Sequence, residues 1–267
     1  MTPLPRRYWQ EMTAREFADS DTTGWIAVLP VAAIEQHGPH LPVYTDTCIA
    51  EGMIRRSIEL MPVDLPVTFL PVQAIGKSNE HISSPGTLTS SWETTTNLWL
   101  DIGDSVHRAG VRKLIVINSH GGNVPMVDIV ARELRVRHDM LVVGTAWSRF
   151  GQPEGISAAE EAFYGIHGGD IETSIILHFR HDLVDMGAAR DFRSTQLDLI
   201  AEFQHLRAHG PVQFGWKAQD LNPAGVVGNA AAATADKGKA VVEHQAKAFV
   251  ELCAEVHAFD PRRLWVG

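Results

Sequence analysis

With 267 residues, 45% of them hydrophobic, and no linker-like, repeated or low-complexity stretch, the chain can bury a large core, and residues 1–267 read as a single α/β domain. Its net charge of −9 argues against a phosphate-backbone partner, which needs a basic stripe, so no nucleic acid is expected. The polar N-terminus, the lack of any run near about 18 apolar residues, and two isolated cysteines, Cys48 and Cys253, in apolar surroundings predict no membrane segment, no disulfide framework and a cytoplasmic location.

In chain order, residues 25–33 predict a buried strand. Residues 47–61 have helical spacing, with Asp46 or Thr47 placed as the cap. A second strand follows at 67–72, then a polar loop at 76–87. A helix over 90–109 closes at Gly110. Residues 113–118 form the clearest buried strand, 124–137 a helix whose Arg132, Arg135 and Arg137 make a solvated face, and 140–145 another strand. A helix over 171–179 begins near Gly168. The pattern is weak after about residue 185, until Ala230 leads into a long amphipathic helix over 235–257. Strands alternating with helices predict a three-layer α/β/α sandwich on a mostly parallel sheet, with its site at the carboxyl ends of the strands.

Polar residues that can carry chemistry collect at those ends. Glu35 and His37 follow the first strand and stand two apart, so an extended backbone points both into one cavity while Gln36 faces away. Gly38-Pro39 and Leu41-Pro42 stiffen the reversal that brings Asp46 back. His120 follows the strongest strand, and Gly121 and Gly122 let the backbone pass close to a ligand. His167 lies in a loop just before Glu172, which stands in a helix's first turn; Asp170 reads as a helix cap. Glu35, His37, Asp46, His120 and Glu172 together supply three carboxylates and two imidazoles, a set suited to Zn²⁺, Mn²⁺ or Fe²⁺. Five donors exceed one structural site. Two ions about 3.5–4 Å apart, bridged by a carboxylate and a water, use them better and supply a hydroxide nucleophile near neutral pH. The expected division gives one ion Glu35, Asp46 and His120, and the other His37, Asp46 and Glu172. His167 is the expected general acid/base. Ser78, His81, Gly121, Gly122 and Trp147 are expected substrate contacts, with Phe150 and Trp216 as further walls.

The chain resembles the creatininase (creatinine amidohydrolase) family in four ordered motifs: Glu35 to Pro42, the following Asp46, Ser119 to Asn123, and His167 to Ser174. Pro85-Gly86-Thr87 after His81, and more weakly Gly225, Gly228 and Lys237-Gly238, extend the likeness. The resemblance implies a dinuclear metal hydrolase of C–N bonds in cyclic or linear amides, with Asp46 as the bridge, on an α/β sandwich assembled as a hexamer. Trp92, Trp99 and Trp216 are candidate interface anchors or, equally, core residues. In creatininases a Tyr-Glu pair follows the strand-end His; here Gly121-Gly122 stands there. This departure points away from creatinine, and toward formamides, lactams or peptide trimming, by leaving open space beside the metals. The alternative is a metal- or ligand-binding member without hydrolytic activity.

Overall fold

The structure, a computed structural model, describes residues 4–265; residues 1–3 and 266–267, included in the one-domain expectation, lie outside it. A short helix α1 (Ala14–Ala18), with the Thr13/Glu16 capping box, precedes the sheet. Strand β1 (Ile26–Val31) is buried throughout and pairs in parallel with β2 (Val67–Phe69) on one side and β3 (Lys113–Asn118) on the other. β4 (Leu141–Ala146) completes the order β2-β1-β3-β4. The strands are apolar at nearly every position because helices cover both faces. Ile26 and Val28 pack with α2 (Thr45–Leu60), α6 (Asp170–Arg180) and α9 (Ala235–Ala258) on one face. Ala27, Leu29 and Val31 pack with α3 (Trp92–Arg108) and α4 (Val124–His138) on the other. This is the expected three-layer sandwich.

Several boundaries differ from the sequence reading. Helix α2 starts at Thr45, so Asp46 lies inside the first turn instead of capping it. The hydroxyl of Thr45 donates to the Pro42 carbonyl at 2.8 Å, which lets the rigid loop run straight into the helix. The α3 boundary follows local chemistry: Ser91 accepts from the Thr94 amide, and Gly110 takes φ 91° just beyond the helix. Between α4 and α9 lie elements whose patterns are too short to read: α5 (Ala159–Tyr164), α7 (Gln196–Glu202), α8 (Ala218–Leu221), and the antiparallel pair β5 (Asp191–Phe192) and β6 (Gly228–Asn229).

Two aromatic assignments are corrected. Trp99 is fully buried under the sheet and anchors no interface. Trp147, expected at the substrate, packs into the core 4.9 Å from the Phe249 ring, because β4 runs directly into the turn that carries it beneath α9. Phe150 joins the same cluster.

The C-terminal helix is tied in at both ends. The Lys113 ammonium, at the start of β3, donates to the carbonyls of Val256, His257 and Phe259 at 2.7, 2.8 and 3.0 Å, satisfying groups that the end of α9 leaves open. At the other end Lys237 pairs with buried Asp170 at 2.6 Å, and Gly238 lets α9 press against the Ser174 carbonyl, where a Cβ would overlap it. Helix α6 is thereby fixed against the sheet. No described helix is long and apolar enough to cross a membrane.

Candidate metal centre

The register from Ile26 opposite Lys113 to Val31 opposite Asn118 brings β1 and β3 out of the sheet level with each other, so the loops after them meet. The Glu35 amide donates to the Val43 carbonyl at 3.0 Å, and an isolated bridge pairs His37 with Leu41. Gly38, at φ 73°, makes the reversal. These contacts hold Glu35 and His37 toward Asp46 in the first turn of α2.

Each imidazole is oriented by a backbone carbonyl behind it. His37 donates from Nδ1 to the Glu35 carbonyl at 3.0 Å, leaving Nε2 facing Asp46 Oδ1 at 3.6 Å and Glu172 Oε2 at 3.8 Å. His120 donates from Nε2 to the Lys77 carbonyl at 2.9 Å, leaving Nδ1 facing Glu35 Oε1 at 3.2 Å and Asp46 Oδ2 at 3.6 Å. Such outer partners fix the tautomer and leave the other nitrogen's lone pair inward. Asp46 therefore stands between two donor groups, with one oxygen toward each. Glu172 is held by the Gly168 amide, which donates to its Oε2 at 2.6 Å. His40 ties the first motif to the fourth, its Nε2–H donating to the Gly168 carbonyl at 3.0 Å.

The electrostatics reflect crowded carboxylates. Burial disfavours charge on His37 and His120, but Asp46, Glu172 and Glu35 outweigh it at His37, raising its pKa to about 9, while Glu35, Asp46 and Glu80 raise His120 to about 10. Burial also opposes ionisation of Glu35, yet His120, His167 and His81 hold it well below the usual carboxylate range. Burial raises Glu172 to about 7. Both oxygens of Glu35, Nε2 of His37 and Oδ2 of Asp46 are buried without a hydrogen-bond partner, an expensive arrangement for a protein interior. These orphaned atoms converge on one space, and their carboxylate and imidazole chemistry fits borderline divalent cations. Glu35 with His37 and His167, Glu35 with Glu80 and His120, and His37 with Asp46 and Glu172 each bring donor atoms within 4.8 Å of one another.

His167 and His81 stack beside this cluster with ring centroids 4.3 Å apart. His167 Nδ1 faces Glu35 Oε1 at 3.6 Å, and His81 Nε2 faces the same oxygen at 3.4 Å. Burial pushes His167 well below its ordinary value and His81 to about 4, so both rings are neutral at neutral pH. A narrow cavity opens over the pair, walled by Trp216, Leu221, Val226 and Val227.

The remaining substrate candidates divide. Ser78 is fully buried behind His120, its hydroxyl 3.4 Å from Nε2, so it backs that ring and does not face the cavity. Gly121 has open space around it, but Gly122 does not: a Cβ there would overlap Glu80 Oε1, His120 Nε2 and the Lys77 carbonyl. The expected open space at Gly122 is therefore filled by a carboxylate from another loop. Glu80, 3.6 Å from His120 Nε2, is a residue the sequence reading missed, although its neighbour His81 marked the loop. Gln36 is the other: expected only to face away from the Glu35–His37 cavity, it is buried among His81, His167 and the Gly225 carbonyl. Period-two alternation shows which side it takes, but not that this side is also built.

A family model described as creatinine amidohydrolase matches residues 10–253. The mycofactocin precursor peptide peptidase of Mycobacterium ulcerans (strain Agy99) is 32% identical over 223 residues, covering 81% of this chain and 80% of that protein. The creatinine amidohydrolase of Pseudomonas putida is 31% identical over 198 residues, covering 68% of this chain and 74% of its own. A crystal structure of creatinine amidohydrolase superposes with a TM-score of 0.77 at 24% identity, covering 96% of this chain and 100% of the other. A mutant creatininase of Zn-Zn type superposes at 0.74 with 25% identity, covering 94% and 98%.

Proposed function

Because this chain belongs to the creatininase family, a family of hydrolases, we propose that it cleaves the C–N bond of a small cyclic amide, lactam or formamide with the help of two divalent ions. The observation that carries this reading is Asp46, with one oxygen toward His37 and the other toward His120. Glu35, Asp46 and His120 would hold one ion, and His37, Asp46 and Glu172 the second; zinc, manganese and iron all suit these donors. When bound, such a pair polarises the amide carbonyl and lowers the pKa of a shared water toward neutrality. The protein's own groups do the rest. His167, with Nε2–H spent on the Gln36 carbonyl at 2.8 Å, keeps a lone pair at Nδ1 beside Glu35. It takes the proton of the attacking water and passes it to the departing nitrogen. The apolar walls of Trp216, Leu221 and Val226 exclude bulk water from the pair.

A second reading, trimming of a peptide, is supported by the relative named as a precursor peptide peptidase. Creatinine is expected to be a poor substrate, since Gly121-Gly122 offers no side chain to it. The test is a panel of creatinine, formamides, lactams and short peptides, with Mn²⁺ or Zn²⁺ and after chelation. Metal-dependent turnover of a small amide supports the proposal; turnover of peptides alone supports the second reading, and bound metal with no turnover of any compound refutes hydrolysis. Replacing His167 with Ala should lower kcat by about 10²–10⁴-fold with metals retained. We also propose assembly as a homo-hexamer.

A further inference from the structure

We propose that Gln36 fixes His81 and His167 in opposite tautomers, and that His81 is thereby the hydrogen-bond donor to the oxygen of the scissile amide; the inference rests on the hydrolytic reading above.

Backbone groups of fixed donor and acceptor character orient the Gln36 side chain. The Gly38 amide donates to Gln36 Oε1 at 2.9 Å, and Gln36 Nε2 donates to the Gly225 carbonyl at 2.6 Å. These two contacts set which end of the side-chain amide is oxygen and which is nitrogen. The second hydrogen on Nε2 points to His81 Nδ1 at 2.8 Å, so that ring nitrogen must accept. A neutral imidazole that accepts at Nδ1 carries its proton at Nε2. His81 makes no hydrogen bond at Nε2, which stands 3.4 Å from Glu35 Oε1, and the ring is part of the cavity lining. Its donor is unspent.

His167 is set the other way by the same residue. Its Nε2 lies 2.8 Å from the Gln36 main-chain carbonyl, which only accepts, so Nε2 carries the proton and Nδ1 the lone pair. The 3.3 Å approach of Gln36 Nε2 to His167 Nε2 is then a contact of two donors and not a hydrogen bond. The stacked rings thus present a donor and an acceptor side by side, 3.4 and 3.6 Å from one carboxylate oxygen. In hydrolysis the water oxygen bonds to the carbonyl carbon and the C–N bond breaks. The water's proton travels by His167 to the departing nitrogen, while His81 keeps its own proton and holds the carbonyl oxygen as negative charge develops there. Gln36 acts through both rings and is a positioning residue. It is a glutamine because a carboxylate could not donate to His81.

A neutron map of zinc-loaded, deuterium-exchanged crystals reads the tautomers directly. Deuterium on Nε2 of both His81 and His167 is expected; deuterium on Nδ1 of His81 overturns the proposal. In parallel, His81→Leu should lower kcat on the best amide of the panel by about 10²–10³-fold, as loss of an oxyanion donor does, with metal content unchanged and KM within about threefold. His81→Gln, which restores an N–H, should recover at least about tenfold of that loss. A leucine variant with wild-type kcat, or a glutamine variant no better than leucine, overturns it. Should the leucine variant not fold, Gln36→Glu makes the same test: its carboxylate accepts from His81, turns the ring's lone pair inward, and should reduce kcat while the metals stay. A wild-type protein inactive on every amide refutes the hydrolytic reading, whereas the neutron map decides the tautomers regardless.

Discussion

Asp46 lies inside the first turn of α2, where its two oxygens reach His37 and His120. Asp46→Ala should therefore remove both ions, and Glu172→Ala mainly one; metal analysis of the purified variants checks this, and two ions retained by Glu172→Ala would sink the assignment. Protons compete for the same donors. His37 and His120 are raised from 6.5 to about 9 and about 10, so both carry protons at neutral pH in chelated protein, and metal binding must expel them. Calorimetry in buffers of different ionisation enthalpy should show proton release near pH 7 and tighter binding as pH rises. For the metal-free protein, stability from these raised groups is fully present below about 6.5 and is lost as pH climbs through about 9 and 10, so its thermal midpoint should fall over that window. Glu35, His37, Asp46, His120, His167 and Glu172 were legible because their side chains have few other reasons to gather at strand ends. Glu80 and Gln36 were not. A missing side chain at Gly122 does not show what a neighbouring loop puts there, and a glutamine's importance here lies in its main-chain partners.

At the scale of elements, α5 is only six residues long, yet it governs the turn that carries His167. Its Glu161 accepts from the Asp170 amide at 2.8 Å and from the Asn229 amide at 2.7 Å, joining the start of α6 to β6. Gly165, Gly169 and Gly228 surround that carboxylate, each at a position where a Cβ would overlap it. Glu161→Ala leaves both amides without a partner, so it should cost about 1–3 kcal/mol and lower the melting temperature, with kcat falling because the loop before Glu172 loosens. An unchanged melting curve would show that water replaces the carboxylate. The long helices and the central strands were legible from their periodicity and caps. The region from about 185 to 230 was not, because two-residue strands and helices of four to seven residues complete no period, and contacts such as this one hold them in place.

For the whole molecule, the apolar side chains that the fold leaves outside bear on assembly. Ile82, Leu88 and Trp92 are all more than half exposed on the loop and helix start beside the site. Light scattering at micromolar protein should give about six times the 29.4 kDa chain mass, and a monomeric mass rules the hexamer out. The centre itself draws on distant parts of the chain: Glu35, His37 and Asp46 come early, His120 and Glu172 later, and the helix that carries Glu172 is pinned by Lys237 and Gly238. Read in time, this is an ordering of synthesis. The emerging chain exposes its first three donors long before the ribosome reaches the residues that lock α6. A cation met early finds only an open, incomplete set of ligands, so the full set that can discriminate between ions exists only once the later residues are folded in place.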